Sequence, residues 1–147
     1  FNGNPLTMAA ARAVLTEVLL PETYGAAEEI GRAMLAGCAE ALADQGLESY
    51  GVVHGFKGSV VVHDQRPANY REFLEVNTAI CHLNYLMQHN RGVFTAPWGK
   101  SESWTLSVAH TMEDGDRVIE NTAELARTIA ATDSTESEIF VVGGITA

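Results

Sequence analysis

Lysine is almost missing from this chain. Of nine basic residues, only Lys57 and Lys100 are lysines. Chemistry that proceeds through a lysine imine needs an amine held out of water against its cofactor. Lys57 sits in a Gly-rich bend and Lys100 in a Pro/Gly loop, so both read as solvated lysines without a covalent role. Cysteine is as scarce: Cys38 and Cys81 fall on apolar helical stripes and form no C-x-x-C pair. They are expected as buried, reduced thiols, and a disulfide framework is not indicated. No apolar run reaches the roughly 20 residues that span a bilayer, and the N-terminus has no signal-peptide layout. A cytoplasmic location is therefore expected. Positive charge is short as well: nine Lys+Arg face nineteen Asp+Glu, for a net charge of −10. Such a chain is repelled by phosphate backbones and anionic lipid, so neither nucleic acid nor a membrane is an expected partner. Position 1 is Phe and not Met, which points to a cut or processed product.

Familiar catalytic signatures are missing too. There is no G-x-S-x-G elbow, no G-x-x-x-x-G-K-[ST] loop and no H-E-x-x-H. The five histidines, His54, His63, His82, His89 and His110, are scattered. His82 and His89 lie seven apart and can share a helix face, but no Cys/His cluster has metal-ligand spacing, and no metal is expected.

What is present is ordinary globular composition, 46% hydrophobic and 19% charged over 147 residues, enough for one domain with a core. Asn4–Pro5 opens a first helix that runs to about Leu20, with Met8, Ala11, Leu15 and Val18 on one face. Pro21 redirects the chain into a second helix that reaches about Gln45 and stops at Gly46, its stripe being Ala27, Ile30, Met34, Cys38 and Leu42. Two short strands follow, Val52–Phe56 and Ser59–His63, with a bulge or bend at Gly58. Residues 64–69 read as a loop and 70–76 as a short helix or turn. A clearer helix spans 77–90, with Ile80, Leu83 and Met87 inward and Gly92 as its stop. Short strands are expected at Gly92–Phe94 and Ser103–Ala109. Thr111 and Asp114 form a capping-box pattern for a last helix to about Ala131, with Val118, Leu125 and Ile129 on its buried side. The domain is thus 1–131, followed by a tail, 132–147, whose apolar stretch Ile139–Val142 has no assigned role. The element order predicts an α+β fold in which a small antiparallel or mixed sheet packs against helices.

The stretch Trp98–Trp104 places two tryptophans around Glu102 and the hydroxyls of Ser101 and Ser103. It reads either as a strand-entry turn with aromatic anchors or as a pocket edge, where a few polar groups stand among aromatics.

Three segments together resemble the class III pyridoxal-phosphate (PLP) aminotransferases. Phe1-Asn2-Gly3-Asn4-Pro5-Leu6-Thr7-Met8-Ala9-Ala10 is similar to that family's Gly-Asn-Pro-hydrophobic-x-x-Ala-Ala segment. Asn90-Arg91-Gly92-Val93-Phe94, ending at Pro97, is similar to its R-G-V-hydrophobic-x-x-P. The run from Glu102 through Ser107, Ala109, His110 and Thr111 to Asp114 and Asp116 resembles the glutamate-1-semialdehyde aminomutase branch, E-x-x-hydrophobic-x-S-x-A-H-T-x-x-D-x-D. Their order and spacing cover about residues 1–131.

The resemblance implies the C-terminal small domain of a fold-type-I homodimer whose PLP, catalytic lysine and pyridine-pairing aspartate belong to a preceding large domain. By that likeness Glu102, with Ser101 and Trp104 beside it, would line the substrate pocket. Gly3, Asn4 and Pro5 would form a turn at the cofactor-side interface. Many relatives carry a carboxylate-gripping arginine in the strand matching Trp104–Ser107. None stands there, which favours the aminomutase-like branch. The implied substrate is a small amine or keto acid, and the implied partners are the missing large domain and a second copy. The chain alone is then expected to bind no PLP covalently and to catalyse nothing. The competing reading is a stand-alone binding or assembly module, or one half of a split enzyme, on the same fold.

Overall fold

The computed structural model describes residues 3–96, 99–100 and 103–132. Residues 133–147 of the expected tail therefore lie outside the described residues, as do Ser101 and Glu102.

Helix α1 (Pro5–Ala13) starts where expected: the Asn4 side chain accepts from the backbone N–H groups of Leu6 and Thr7, and Pro5 occupies the first turn. The expected run to Leu20 does not hold as one α-helix. Thr16 donates its hydroxyl to the Arg12 carbonyl at 2.9 Å, competing with the backbone ladder. Residues Val14–Val18 then form a π turn closed by Leu19 N–H on the Val14 carbonyl. Leu20 is extended, as a residue before proline must be.

Pro21 begins α2 (Pro21–Ala43), which buries Ala27, Ile30, Met34, Cys38 and Leu42, the stripe read from the sequence, together with Gly31. Leu47 N–H closes on the Leu42 carbonyl, so the stop at Gly46 is as expected. The hairpin β1 (Ser49–His54) and β2 (Lys57–Val62) is antiparallel with Ser49 opposite Val62 and His54 opposite Lys57. Both strands begin earlier than the sequence suggested. The two-residue turn is Gly55–Phe56, where Gly55 takes φ 55, a left-handed conformation that glycine adopts without strain.

Gly58 is no bend. It is a paired strand residue opposite Trp104 of β3 (Ser103–Thr105). A Cβ on it would stand 2.4 Å from the Trp104 ring. Its missing side chain is the seat of the indole. Strand order is β1-β2-β3, all antiparallel.

Between β2 and β3 the chain makes α3 (Tyr70–Phe73), capped by Asn69, and α4 (Thr78–Asn90), capped by Asn77. Gly92, at φ 86, turns the chain so that Val93 N–H bonds the Gln88 carbonyl. Gly92–Phe94 is consequently turn and coil, not the expected strand. On α4 the fully buried residues are Cys81 and Gln88, with Ile80, Leu83 and Met87 half-buried. Strand β3 is also shorter than expected, although Leu106 N–H still reaches the Phe56 carbonyl at 2.7 Å.

Helix α5 (Met112–Ala131) ends where expected and buries Gly115, Asn121, Thr122, Leu125 and Ala126. It runs beside α2 at van der Waals range because both carry glycines at the crossing. A Cβ on Gly115 would meet Ile30 and Met34 at 3.2–3.3 Å, and one on Gly37 would stand 2.6 Å from Ile119. The core has two parts. Ile30, Met34 and Leu106 pack with Phe56, Trp104 and Val118, while Val61, Val76 and Cys81 pack with Tyr50 and Phe73. Both cysteines are buried, and neither is part of a disulfide. No helix among the described residues is long and apolar enough to cross a membrane.

Replacing Gly58 by Val should displace the Trp104 ring and cost about 1–3 kcal/mol, the usual penalty for overfilling a packed site. A urea titration of the variant should show a lower midpoint with an unchanged slope.

Candidate functional site

A cavity of about 390 Å³ lies inside this frame. Its apolar wall comes from Met34 and Leu42 of α2, Val61 of β2 and Leu125 of α5. Its polar wall is a buried network that no motif announced. Asn121 Nδ2 donates to Gln88 Oε1 at 3.0 Å, and Gln88 Nε2 donates to the Val118 carbonyl and to Thr122 Oγ1, both at 3.3 Å. Thr122 passes its hydroxyl proton to the Val118 carbonyl at 2.9 Å, while Cys38 Sγ donates to Thr122 Oγ1 at 3.4 Å. Three helices, α2, α4 and α5, are thus tied by side chains. Burial pushes the Cys38 thiol upward, with the Thr122 bond opposing it, so the sulfur stays protonated and unreactive.

Sequence reasoning passed over Gln88, Asn121 and Thr122. Gln88 follows Cys81 by seven and Thr122 lies between Val118 and Leu125, so two of them occupy buried helical stripes. Polar residues at apolar positions were the available signal.

The rim of the cavity is built by Phe94, His110, Asp114 and Arg117. Ser107 folds back on His110: its backbone N–H and its hydroxyl both lie 2.9 Å from His110 Nδ1. Nδ1 can accept the backbone N–H only if it carries no proton, which leaves Nε2 as the N–H of the neutral ring. Asp114 Oδ2 accepts from the Thr111 N–H at 2.8 Å and from its hydroxyl at 3.1 Å, the acidic half of the expected capping box. Those two bonds, the backbone one foremost, hold the Asp114 carboxyl below its usual range.

The residues singled out from sequence fall in three places. Gly3, Asn4 and Pro5 form the exposed turn that starts α1, remote in the chain order from the cavity wall. Trp104 is half-buried on Gly58 and lines the cavity, with its indole N–H buried and without an acceptor among the described residues. Ser101 and Glu102 are outside the described residues, so the two readings of that loop stay as they were.

The two lysines differ from each other more than the sequence suggested. Lys57 is exposed at the start of β2. Lys100 is not a freely solvated lysine: its Nζ donates to the carbonyls of Leu74 at 2.5 Å and Val76 at 2.7 Å, pinning the loop to the end of α3. An amine that meets PLP must be both desolvated and free to attack. Neither lysine meets both conditions, so the described residues do not fit a covalent PLP site. Among the described residues no cluster of His, Cys, Asp and Glu is placed to hold a metal.

The architecture, an α+β layer of long helices on a short antiparallel sheet, is shared with part of the transaminases. An omega-transaminase from Sphaerobacter thermophilus superposes with a TM-score of 0.69 over 85% of this chain and 28% of that one, at 20% identity. A transaminase solved with PLP bound gives 0.68 over 87% and 28%, at 21% identity. At these identities the likeness is one of fold.

The sequence relatives narrow it. The chain is 31% identical over 134 residues to a glutamate-1-semialdehyde 2,1-aminomutase of Paracidovorax citrulli (strain AAC00-1), covering 88% of this chain and 30% of that protein. It is 51% identical over 55 residues to an acetylornithine aminotransferase of Halalkalibacterium halodurans, covering 37% of this chain and 14% of that protein. No family model matches. The chain's homologues are therefore aminomutases and aminotransferases, and it spans about 30% of the length of the first of them and 14% of the second.

Two outcomes follow from the network and the cap. Gln88→Leu should destabilise the chain by roughly 1–3 kcal/mol, because the Asn121 amide loses its buried acceptor. Adding Asn121→Leu should recover part of that loss in a double-mutant cycle read by chemical denaturation. For Asp114 the folded pKa is depressed, so its stabilisation is present above the unfolded carboxylate value and disappears as pH falls through the folded one. Thermal melts of Asp114→Asn and the parent should therefore differ at pH 7 and converge in strong acid.

Proposed function

We propose that this chain is the small domain of a PLP-dependent aminotransferase or aminomutase, a part that shapes the substrate side of the active site and contributes dimer contacts. PLP and its lysine would come from a separate large domain. When bound there, PLP supplies the electron sink for moving an amino group, and no step of that chemistry is assigned to this chain. The observation that carries the reading is α1 with its π turn. No residue of it is buried, and Leu6, Met8, Leu15 and Val14 are exposed at 80%, 58%, 66% and 44%. A helix this apolar and this bare is half of an interface. The relatives offer the other half, since over two thirds of their length lies outside the match.

Within this reading, Glu102, Ser101 and Trp104 border the pocket of a small amine or keto acid. Gly3, Asn4 and Pro5 meet the cofactor-side face, and a second copy completes a homodimer.

The test is reconstitution. The chain is co-expressed with the PLP-binding part of a bacterial glutamate-1-semialdehyde aminomutase, and complex formation and PLP absorbance are followed. A stable complex, lost in Leu6→Asp/Leu15→Asp, is the expected result. Borohydride treatment of the chain with PLP alone should leave Lys57 and Lys100 unlabelled in peptide mass spectra. A stoichiometric adduct on either lysine, or a monodisperse chain indifferent to the large domain, would overturn the reading in favour of a stand-alone module.

A further inference from the structure

The cavity between α2, β2, α4 and α5 goes beyond the reading above, with which it shares only Trp104. A volume of about 390 Å³ falls within the range of small-ligand pockets, roughly 300–1,000 Å³. Side chains of this size normally fill a domain interior to the density of an organic crystal. The walls give a coherent chemistry. Met34, Leu42, Val61 and Leu125 offer an apolar sleeve. The polar network along Gln88 and Thr122 is closed on itself, so it demands nothing from an occupant.

Two lining groups lack a partner among the described residues: the Thr95 hydroxyl and the Trp104 indole N–H, both buried. A buried donor without an acceptor costs free energy that an entering oxygen would recover.

At the rim the balance of charge is settled by commitments already made. Asp114 accepts from Thr111 and remains an anion, with the charges of His110 and Arg117 acting on it. Arg117 makes no direct ion pair among the described residues, so its guanidinium can take a second carboxylate. The His110 ring, accepting at Nδ1, keeps an Nε2–H to donate. A guanidinium and an imidazole N–H at the mouth of an apolar sleeve form a site for an anionic head with a hydrocarbon body. The geometry points to a small amphipathic carboxylate as the occupant, its chain in the sleeve and its carboxylate at Arg117 and His110.

Octanoate is the probe, and 1-octanol is its uncharged control. Titrated into the ¹⁵N-labelled chain, octanoate should shift the Trp104 indole resonance and the backbone resonances of Gln88 and Thr122. Arg117→Gln, an exposed change that leaves the core intact, should weaken octanoate by about ten-fold, the scale of a lost charge-assisted bond, and leave octanol unchanged. Thr95→Phe gives up no hydrogen bond and fills the cavity, so it should abolish binding of both probes while keeping a dispersed spectrum. Shifts confined to α1, or none at the cavity, would overturn the site. Retained octanoate binding in Thr95→Phe would do the same. Equal octanoate affinity in Arg117→Gln would overturn the carboxylate assignment. None of these outcomes bears on the large-domain reading, which is decided by reconstitution.

Discussion

The close approach of α2 and α5 is the constraint on which the rest of the domain depends. Glycines at 37 and 115 let the two helices meet with Ile30, Met34 and Ile119 pressed where side chains would otherwise stand. That separation brings Cys38 within hydrogen-bonding range of Thr122 and, through Thr122, recruits Gln88 from α4. The same device recurs against the sheet. A Cβ on Gly31 would meet Val53, Trp104 and Leu106 within 3.7 Å, and one on Gly51 would run into Leu35. Small residues at contacts therefore set the layer spacing, and large residues fill what remains. Where the filling is incomplete, the cavity results.

Against this well-tied interior stands a first helix that buries none of its residues. Local chemistry alone holds α1: a capping asparagine, a proline in the first turn and alanine-rich propensity. Short isolated helices are marginal in water, and tertiary packing supplies most helical stability in folded proteins. The contrast between α1 and α5 is one of burial: α1 buries no residue, while α5 is laid across the core.

Much of this was legible in the residues. Caps at Asn4 and Thr111, stops at Gly46 and Gly92, and the stripe of α2 rest on local rules, and the structure bears them out. The errors share a cause. Gly58 looked like a bend because a glycine in a strand is ambiguous; its purpose is set by Trp104, which arrives 46 positions later. The Gly92–Phe94 strand failed because its β-propensity was overruled by the turn that closes α4. Apolar periodicity along Met8, Ala11, Leu15 and Val18 marks a face but not what covers it. Lys100 likewise took its partners from the distant Leu74 and Val76. Ser101 and Glu102 lie outside the described residues.

The pairing of α2 with α5 also governs the order in which this chain can come to rest. The Cys38–Thr122 contact spans 84 positions, and the sheet receives β3 only after α3 and α4 have been made. Contacts so distant along the chain close slowly, since loop entropy is lost before packing compensates it. On a ribosome, α2 and the hairpin could pack on each other early, but the face of α2 that α5 covers would stay wet until the final helix followed. For that interval the nascent polypeptide displays its future core, and its survival rests on synthesis outrunning aggregation or on a chaperone shielding it.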